Sequence, residues 1–211
     1  MPVSHLSILF SQYSFTNFRA ACLIFNTQCI IMEDSNDLSL VNQVTVLHDT
    51  KAFDRIVMKY QSPIRRFFLH QTLGDVQLSD DLAQETFIRA YTHLATFRQL
   101  SSFSTWLFRI AYNVFYDHVR RERPVADMET AEVARKSAGC ADECLWFDVY
   151  DALRRLGDKE RACITLQLMD GYPIDKIADI TGMAVGTVKS HLFRGKEKLT
   201  KFLKENGYGG K

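Results

Sequence analysis

The chain has 211 residues, with 26 Lys and Arg against 25 Asp and Glu, a formal net charge of +1. With 46% hydrophobic, 12% aromatic and 24% charged residues, the composition excludes a low-complexity tail, a collagen and a strongly basic chromatin-type protein. Taken whole, the charge balance counts against a nucleic-acid partner, because phosphate binding usually leaves a basic footprint. Only four Pro and ten Gly are present, which favours long helices, and we expect an all-α fold.

The five cysteines are odd in number and irregularly spaced, without a C-x-x-C pair. This pattern predicts neither a disulfide framework nor a zinc ribbon. It is typical of a reduced, cytoplasmic protein, and we expect no metal site and no cofactor. Cys140 and Cys144 are open to two interpretations, a redox pair or two unrelated thiols in a linker, of which we favour the second.

Residues 1–32 differ from the rest because Arg19 is their only charged residue. Polar residues interrupt every apolar cluster, so the segment predicts neither a signal peptide nor a spanning helix, which needs about 20 apolar residues in a row. Met32 is followed by the polar stretch 33–37. We hypothesise that translation begins at Met32, and an intact mass of the native protein would test this.

Charge is unevenly distributed over the remainder of the chain. Residues 33–123 carry 11 acidic and 11 basic side chains, residues 124–143 carry five and two, and residues 144–211 carry nine and 12. The segment 124–142 opens with a helix-breaking proline and has no sustained apolar period, which predicts a flexible acidic linker. Two small helical domains, 1–32 aside, are expected at 33–123 and 143–206.

The first domain contains a predicted amphipathic helix over residues 80–94. Ser79, Asp80 and Asp81 are its cap candidates. Its apolar face consists of Ala83, Phe87, Ala90, Tyr91 and Leu94. Its outward face carries Asp81, Gln84, Glu85, Ile88 and Thr92. A solvated face normally lacks isoleucine, so a partner surface and a plain surface helix are both open interpretations.

A second helix is predicted over residues 105–121, with Ser104 as its cap. Core spacing is seen for Leu107, Ile110, Ala111 and Val114. The opposite face aligns Trp106, Arg109, Asn113, Asp117 and Arg120, and the loop before it adds Arg98, Ser102 and Phe103. Arg and Asn supply phosphate or base-edge contacts, and Trp offers a stacking plane for an unpaired base. The alternative is a surface helix whose Trp packs against a neighbour.

The second domain ends in a helix-turn-helix pattern. The first helix has Ile174, Ile177 and Ala178 on one face, Gly182 gives the turn its backbone freedom, and the second helix has Val185, Val188, Leu192 and Leu199 on its inner face. The exposed face of that helix carries Thr187, Lys189, Ser190, His191 and Arg194, which can reach base edges and phosphates in a major groove. Helices near 144–156 and 158–170 complete a small bundle. A plain αα-hairpin is the alternative.

Together these segments resemble bacterial sigma factors of the extracytoplasmic-function type, the small two-domain members of the sigma-70 class. DDLAQETFIRAYTHLATF is similar to region 2.2 of that family, and SSFSTWLFRIAYNVFYDHVRR to regions 2.3 and 2.4. LGDKERACITLQLMDGYPIDKIADITGMAVGTVKSHLFRGKEKL is similar to region 4. The resemblance covers about residues 50–123 and 144–203, with two motif sets in the family's order around a linker of the right size.

The resemblance implies a function in transcription initiation and roles for particular residues. Core RNA polymerase, through its β′ and β subunits, would be the main partner, and the β′ clamp helices would contact Asp81, Gln84, Glu85 and Ile88. The separated non-template strand of the promoter −10 element would be held by Arg98, Ser102, Phe103, Trp106, Arg109, Asn113, Asp117 and Arg120. The −35 element would be read as duplex by Thr187, Lys189, Ser190, His191 and Arg194.

The resemblance also implies an anti-sigma partner, often membrane-bound, while the chain itself would not insert into a membrane. Two positions depart from the family's pattern: His191 stands where Arg is frequent, and Gln99 and Leu100 replace small and acidic loop residues. Both departures bear on which promoter sequence is read.

Two other functions fit parts of the pattern. A helix-turn-helix regulator of the response-regulator type would bind duplex DNA without being a polymerase subunit, and an adaptor of two helical bundles would bind no DNA. We find no paired carboxylates, phosphate-cradling glycine loop or nucleophile with a base, so the sequence predicts a protein that is not an enzyme.

Two weak DNA-reading surfaces on one chain become a strong contact only when a partner fixes their spacing.

Overall fold

A computed structural model describes residues 34–122 and 149–206, which are predominantly helical and contain no strand. This confirms the predicted all-α fold over the described part of the chain. The predictions about Met32, about the linker at 124–142 and about Cys140 and Cys144 fall outside these residues.

The first domain consists of four helices that surround an aromatic core. They are α1 (Asp34–Leu47), α2 (Thr50–Gln71), α3 (Val76–His93) and α4 (Phe103–Glu122). Phe67, Phe68 and Phe108 are fully buried where α2 and α4 meet, and the rings of Phe67 and Phe108 lie 5.8 Å apart in an edge-to-face arrangement. This core fixes α3 and α4, the two helices that carry the predicted binding faces.

Both predicted helices of the first domain begin earlier than their sequences indicated. Helix α3 is capped by Asp75, whose carboxylate accepts the Leu78 N–H at 3.0 Å, while Ser79 is buried inside the helix. Helix α4 is capped by Ser102, whose hydroxyl accepts the Thr105 N–H at 3.2 Å. The predicted cap candidates Ser79, Asp80 and Asp81 of α3 and Ser104 of α4 lie inside their helices and are therefore wrong. A serine can lie inside a helix when its hydroxyl bonds a carbonyl of the preceding turn, as Ser79 does with Asp75.

The second domain is smaller. Its helices are α5, described over residues 149–154, α6 (Asp158–Ile164), which continues into a π-helical turn at Thr165–Met169, α7 (Ile174–Thr181) and α8 (Val185–Glu205). The core between them contains Leu153, Ile164, Leu166, Ile177, Ile180, Val188 and Leu192. Val185, which the spacing placed in this core, is 37% exposed because it lies in the first turn of α8.

The turn between α7 and α8 has the geometry that the sequence predicted. Gly182 adopts φ 69°, in the left-handed region, and its N–H donates to the Ala178 carbonyl at 2.8 Å. This is the ordinary way to end a helix, because glycine adopts that conformation without a Cβ penalty.

The two domains are packed against each other. Helix α4 lies on α7 and helix α2 on α6, and the described residues, 34–122 and 149–206, belong to one compact unit. Across the contact, the ring of Phe108 lies 5.2 Å from that of Tyr172. The sequence predicted two domains joined by a flexible linker. Its hydrophobic periodicity did not predict that the second domain would pack against part of the first.

Candidate polymerase and nucleic-acid interfaces

The outward face of α3 is a mixed acidic and apolar surface. Asp81 and Gln84 are exposed, and Ile88 keeps 37% of its surface in solvent. Glu85 is held against the helix because Arg89 Nε donates to its carboxylate at 2.7 Å. The four side chains that were predicted to bind a partner thus lie on one accessible face.

Arg89 links this face to Asp117 of α4, which also binds Arg120 of its own helix. Arg89 donates to one oxygen of Asp117 at 2.9 Å, and Arg120 donates to the other at 2.9 Å. The hydrogen bond from Arg89 holds the pKa of Asp117 below its usual range. The ionised carboxylate of Asp117 would repel DNA phosphates. The guanidinium of Arg120, in contrast, is positively charged and highly exposed. The geometry therefore makes Asp117 the group that positions two arginines.

Trp106 belongs to an aromatic cluster at the start of α4. Its ring lies 5.4 Å from that of Phe97 and 5.5 Å from that of Phe103, and Phe103 in turn lies 5.6 Å from Tyr60. Trp106 is half-buried, so its ring is both packed by neighbours and reachable from solvent. Phe103 is only 1% exposed. Its expected place on the binding surface is wrong, because its ring belongs to the core that supports Trp106.

The loop before α4 carries an exposed apolar residue. Gln99 adopts φ 57°, a conformation that costs a non-glycine residue on the order of 1 kcal/mol. The next residue, Leu100, is 90% exposed, and Arg98 is exposed beside it. Ser102 is less available than its sequence position indicated, since its hydroxyl also bonds those of Ser104 and Thr105 at 3.0 and 2.8 Å.

The remaining polar side chains of the α4 face lie open to solvent. Arg109 and Asn113 are exposed one helical turn apart, in line with Trp106 before them and Arg120 after them. A cationic, amide-bearing strip thus begins at an aromatic ring and runs along α4.

Helix α8 presents the second polar strip. Thr187, Lys189, Ser190 and Arg194 are exposed, while Val188 and Leu192 face the core. Over its length α8 carries six Lys and Arg against two Glu. The residues that were predicted to enter a major groove therefore lie on the solvent side of a basic helix.

His191 differs from the others because it is half-buried, and its Nδ1 has no partner among the described residues. Burial, followed by the nearby Arg194, lowers the pKa of His191. The shift favours the neutral form of the imidazole, which does not supply the charge of an arginine.

Phe193 is a surface residue that the sequence analysis missed. It is 71% exposed and lies one turn after Lys189 and Ser190, in the middle of the exposed face of α8. The signal was available in the sequence, since Phe193 is out of step with the apolar positions Val188 and Leu192.

Two contacts hold α8 in place on α6. Gly195 lies so close to Ile164 that a Cβ there would stand 2.7 Å from a side-chain carbon. Lys198 donates to Glu160 at 2.7 Å, and Glu160 accepts the Gly157 N–H at 3.2 Å. Burial opposes ionisation of Glu160, but these two donors prevail and its pKa is lowered. The exposed polar strip thus belongs to a helix, α8, that packs closely against α6.

Within residues 34–122 and 149–206 no helix is long and apolar enough to cross a membrane. The same residues contain no group of three or more His, Cys, Asp or Glu side chains arranged to hold a metal ion.

Family models match both domains. The model described as Sigma-70 region 2 matches residues 56–125, and the model described as Sigma-70, region 4 matches residues 146–199.

Curated relatives match over most of their length. The chain is 34% identical over 188 residues to the RNA polymerase sigma-H factor of Pseudomonas aeruginosa, a match that covers 82% of this chain and 96% of that protein. It is 36% identical over 173 residues to the ECF RNA polymerase sigma factor SigW of Bacillus subtilis, covering 74% of this chain and 91% of that protein.

Solved structures share the fold. CnrH, solved in complex with the cytosolic domain of CnrY, aligns with a TM-score of 0.64 and 23% identity over 82% of this chain and 99% of that one. The sigma factor RpoE, solved with the anti-sigma factor NepR from Bartonella quintana, aligns with a TM-score of 0.59 and 26% identity over 73% of this chain and 98% of that one.

Proposed function

The chain belongs to the sigma-70 family of RNA polymerase sigma factors, in the extracytoplasmic-function group, and from this we propose a division of promoter recognition among α3, α4 and α8. It binds core RNA polymerase and directs transcription initiation at specific promoters. The first domain, residues 33–123, acts as region 2, and the second, residues 143–206, as region 4. Catalysis belongs to the polymerase, with which the factor works in the cytoplasm.

We assign polymerase binding to the outward face of α3. Ile88 is an apolar side chain at the centre of a face that is otherwise polar, and burying it against a partner removes that surface from water. Asp81, Gln84 and Glu85 surround it and would pair with basic and polar groups of the β′ clamp helices. The ion pair between Glu85 and Arg89 holds this face in one geometry before the partner arrives.

We assign the −10 element to the strip along α4. Trp106 offers a ring for stacking, and Arg109, Asn113 and Arg120 offer donors to backbone and base edges of an unpaired strand. Phe103 and Asp117 act indirectly, the first by supporting the indole and the second by positioning Arg89 and Arg120. Arg98, Leu100 and Ser102 form the loop against which a flipped base would rest.

We assign the −35 element to the exposed face of α8. Lys189 and Arg194 neutralise phosphates, while Thr187 and Ser190 reach base edges in the major groove. Phe193 adds an apolar group suited to contact with a thymine methyl. The neutral His191 supplies a hydrogen-bonding edge rather than a charge.

An anti-sigma protein is a further proposed partner. It is supported by RpoE, which has been solved in complex with the anti-sigma factor NepR. The helix-turn-helix regulator is not favoured, because such a protein has no use for a region 2 domain.

The observation that carries this function is the coexistence of both family domains in one chain with two separate exposed strips. Run-off transcription with purified core polymerase tests it. A transcript that depends on the added protein is expected, and absence of both a transcript and core binding would reject the sigma function.

A matched pair of variants tests the α3 face. Ile88→Glu should weaken core binding by tenfold or more, because it places a charge where apolar surface is buried. Met58→Glu, which makes the same change at a 61% exposed position of α2 outside that face, should bind core as the unchanged protein does. Equal losses in both variants would remove α3 from the polymerase interface.

A further inference from the structure

His191 lies within the basic face of α8 and is the residue of that face that can change its charge near neutral pH. It comes two residues after Lys189 and three before Arg194, so its ring lies beside a cation on the same side of the helix. Those two neighbours are exposed, whereas His191 is half-buried. An imidazole titrates near pH 6.5 when nothing perturbs it, while the charges of Lys189 and Arg194 are constant between pH 6 and 8.

The buried edge of the His191 ring favours the uncharged form. Its Nδ1 atom is buried and has no hydrogen-bond partner among the described residues. A protonated imidazole carries an N–H on both nitrogens, so protonation would bury a charged donor without an acceptor, which is costly. The neutral ring can keep its one proton on Nε2 and leave Nδ1 as an uncharged acceptor, at a smaller cost.

The charged groups that act on His191 come from α8 itself and from α6. Burial, followed by Arg194, lowers the pKa of His191, and Lys159 of α6 adds to this effect. Glu160 of α6 opposes it, but its carboxylate already accepts a hydrogen bond from Lys198 Nζ at 2.7 Å. Helix α7 also packs on α8, and its charged side chains are not among the causes of this shift: Asp175, Lys176 and Asp179. In the free protein the neutral imidazole is therefore favoured.

Duplex DNA would reverse this balance, because it brings fixed negative charge to the exposed side of α8. A phosphate within about 4–6 Å of an imidazole favours the charged form and raises its pKa by about 1–3. Phosphates that pair with Arg194 also offset the repulsion that this side chain exerts on the ring. A group whose pKa is higher in the complex than in the free protein takes up a proton as the complex forms.

We propose that His191 couples binding of the −35 duplex to uptake of a proton: the imidazole is neutral in the free factor and becomes charged when α8 enters the major groove, so the factor binds its promoter more tightly as pH falls. This rests on the proposed function, because it concerns the same face of α8. The neutral ring offers the duplex one hydrogen bond, and the protonated ring adds a third positive charge to those of Lys189 and Arg194. The gain in affinity begins as pH falls through the pKa of the bound imidazole and is complete below the pKa of the free one.

Binding of a labelled duplex at several pH values tests the proposal. The full-length protein, assembled with core polymerase, selects a duplex from a random pool at pH 7.5, and fluorescence anisotropy then gives its affinity at pH 8, 7 and 6 at one salt concentration. One coupled proton changes affinity by at most about tenfold per pH unit, and we expect a gain of about five- to tenfold between pH 8 and 6. His191→Gln should abolish this dependence. His93→Gln makes the same change at an exposed position of α3 and should retain it.

A permanent charge and a proton count provide two further measurements. His191→Arg should bind at pH 8 about as tightly as the unchanged protein does at pH 6, with little change between them. Calorimetry at pH 7 in phosphate and in Tris, which differ in their heats of ionisation, counts the protons taken up on binding. The unchanged protein should take up a fraction of a proton that both His191→Gln and His191→Arg lack, and circular dichroism establishes that each variant folds.

The possible failures are distinguishable. Equal affinity of the unchanged protein at pH 8 and 6, or the same pH dependence in His191→Gln, would overturn the proton coupling and leave the −35 assignment in place. If the holoenzyme binds no duplex more tightly than core polymerase alone at any pH, the −35 assignment itself is rejected, and the proposal with it.

Discussion

The two proposed DNA-binding surfaces, on α4 and on α8, are suited to different forms of DNA. The strip on α4 begins with an aromatic cluster and a strained loop, and its ring, Trp106, is fixed by Phe97 and Phe103. The strip on α8 is the exposed face of one regular, basic helix. An unpaired base exposes its face, so it is held by stacking, whereas duplex DNA exposes its edges and phosphates, so a helix in the groove suffices.

The hydrophobic cores that support α4 and α8 also differ from each other. The first domain holds α4 with long helices and several fully buried phenylalanines, while the second domain holds α8 with short helices and one very close glycine contact. We therefore expect the second surface to be more sensitive to small changes in packing, and the first to be more sensitive to loss of a ring.

The largest effect is expected for Gly195→Ala. The new methyl group would stand 2.7 Å from Ile164, and forcing α8 away from α6 should cost about 1–3 kcal/mol of stability and most of the −35 duplex binding. Gly186→Ala is the control, because nothing lies within 4 Å of its Cβ position. Urea unfolding and DNA binding measure both. Equal behaviour of the two variants would show that the close contact is unimportant.

Trp106→Ala should slow promoter opening about tenfold, because base stacking on an aromatic ring contributes about 1–3 kcal/mol. Core binding should be unchanged, since α3 is not altered. Trp106→Phe keeps a ring and should recover most of the rate. Fluorescence of a base analogue in the −10 element follows opening, and a parallel loss of core affinity would show that the indole serves only the packing of Phe97 and Phe103.

Lys189→Ala should weaken binding of the −35 duplex several-fold and lower the salt dependence of that binding by about one phosphate contact. Lys51→Ala makes the same charge change at the start of α2 and should leave both quantities as they are. Titrations at several salt concentrations distinguish the two, and an unchanged slope for Lys189→Ala would remove this side chain from the DNA contact.

The smallest effect is expected for acidification. Burial raises the pKa of Asp170 to about 6 despite Arg66, so this group adds stability as pH falls from 6 towards 4. Burial, aided by Arg66, lowers the pKa of His70 to about 4, so this group removes stability as pH falls from 6.5 towards 4. The two slopes oppose each other, and the net dependence should be small.

Substitution separates these two contributions. Relative to the unchanged protein, Asp170→Asn should lose stability on acidification from pH 6.5 to 4.5, and His70→Gln should gain it. Urea midpoints at the two pH values provide the measurement. Identical pH profiles in all three proteins would show that neither group has the shifted pKa.

Much of the chemistry was readable from local pattern. The helix-turn-helix was predicted because Gly182 and the apolar positions of α7 and α8 report their roles within a few residues. The face of α3 was predicted because Ile88 breaks an otherwise polar periodicity. The first residues of the helices were harder to predict from the sequence. Asp75 and Ser102 cap α3 and α4, but the nearby Ser79 and Ser104 are equally good N-caps when they are considered in isolation.

By itself the sequence determined the family, the all-α fold and most of the side chains that face outward on α3, α4 and α8, because periodicity and motif order are local properties. Only the tertiary structure decided that Phe103 lies in the core, that Asp117 positions two arginines and that Arg161 and Asp170 join the two domains. These depend on residues up to 104 positions apart, and the solvation cost of a buried charge appears only when the chain has brought its partner into place.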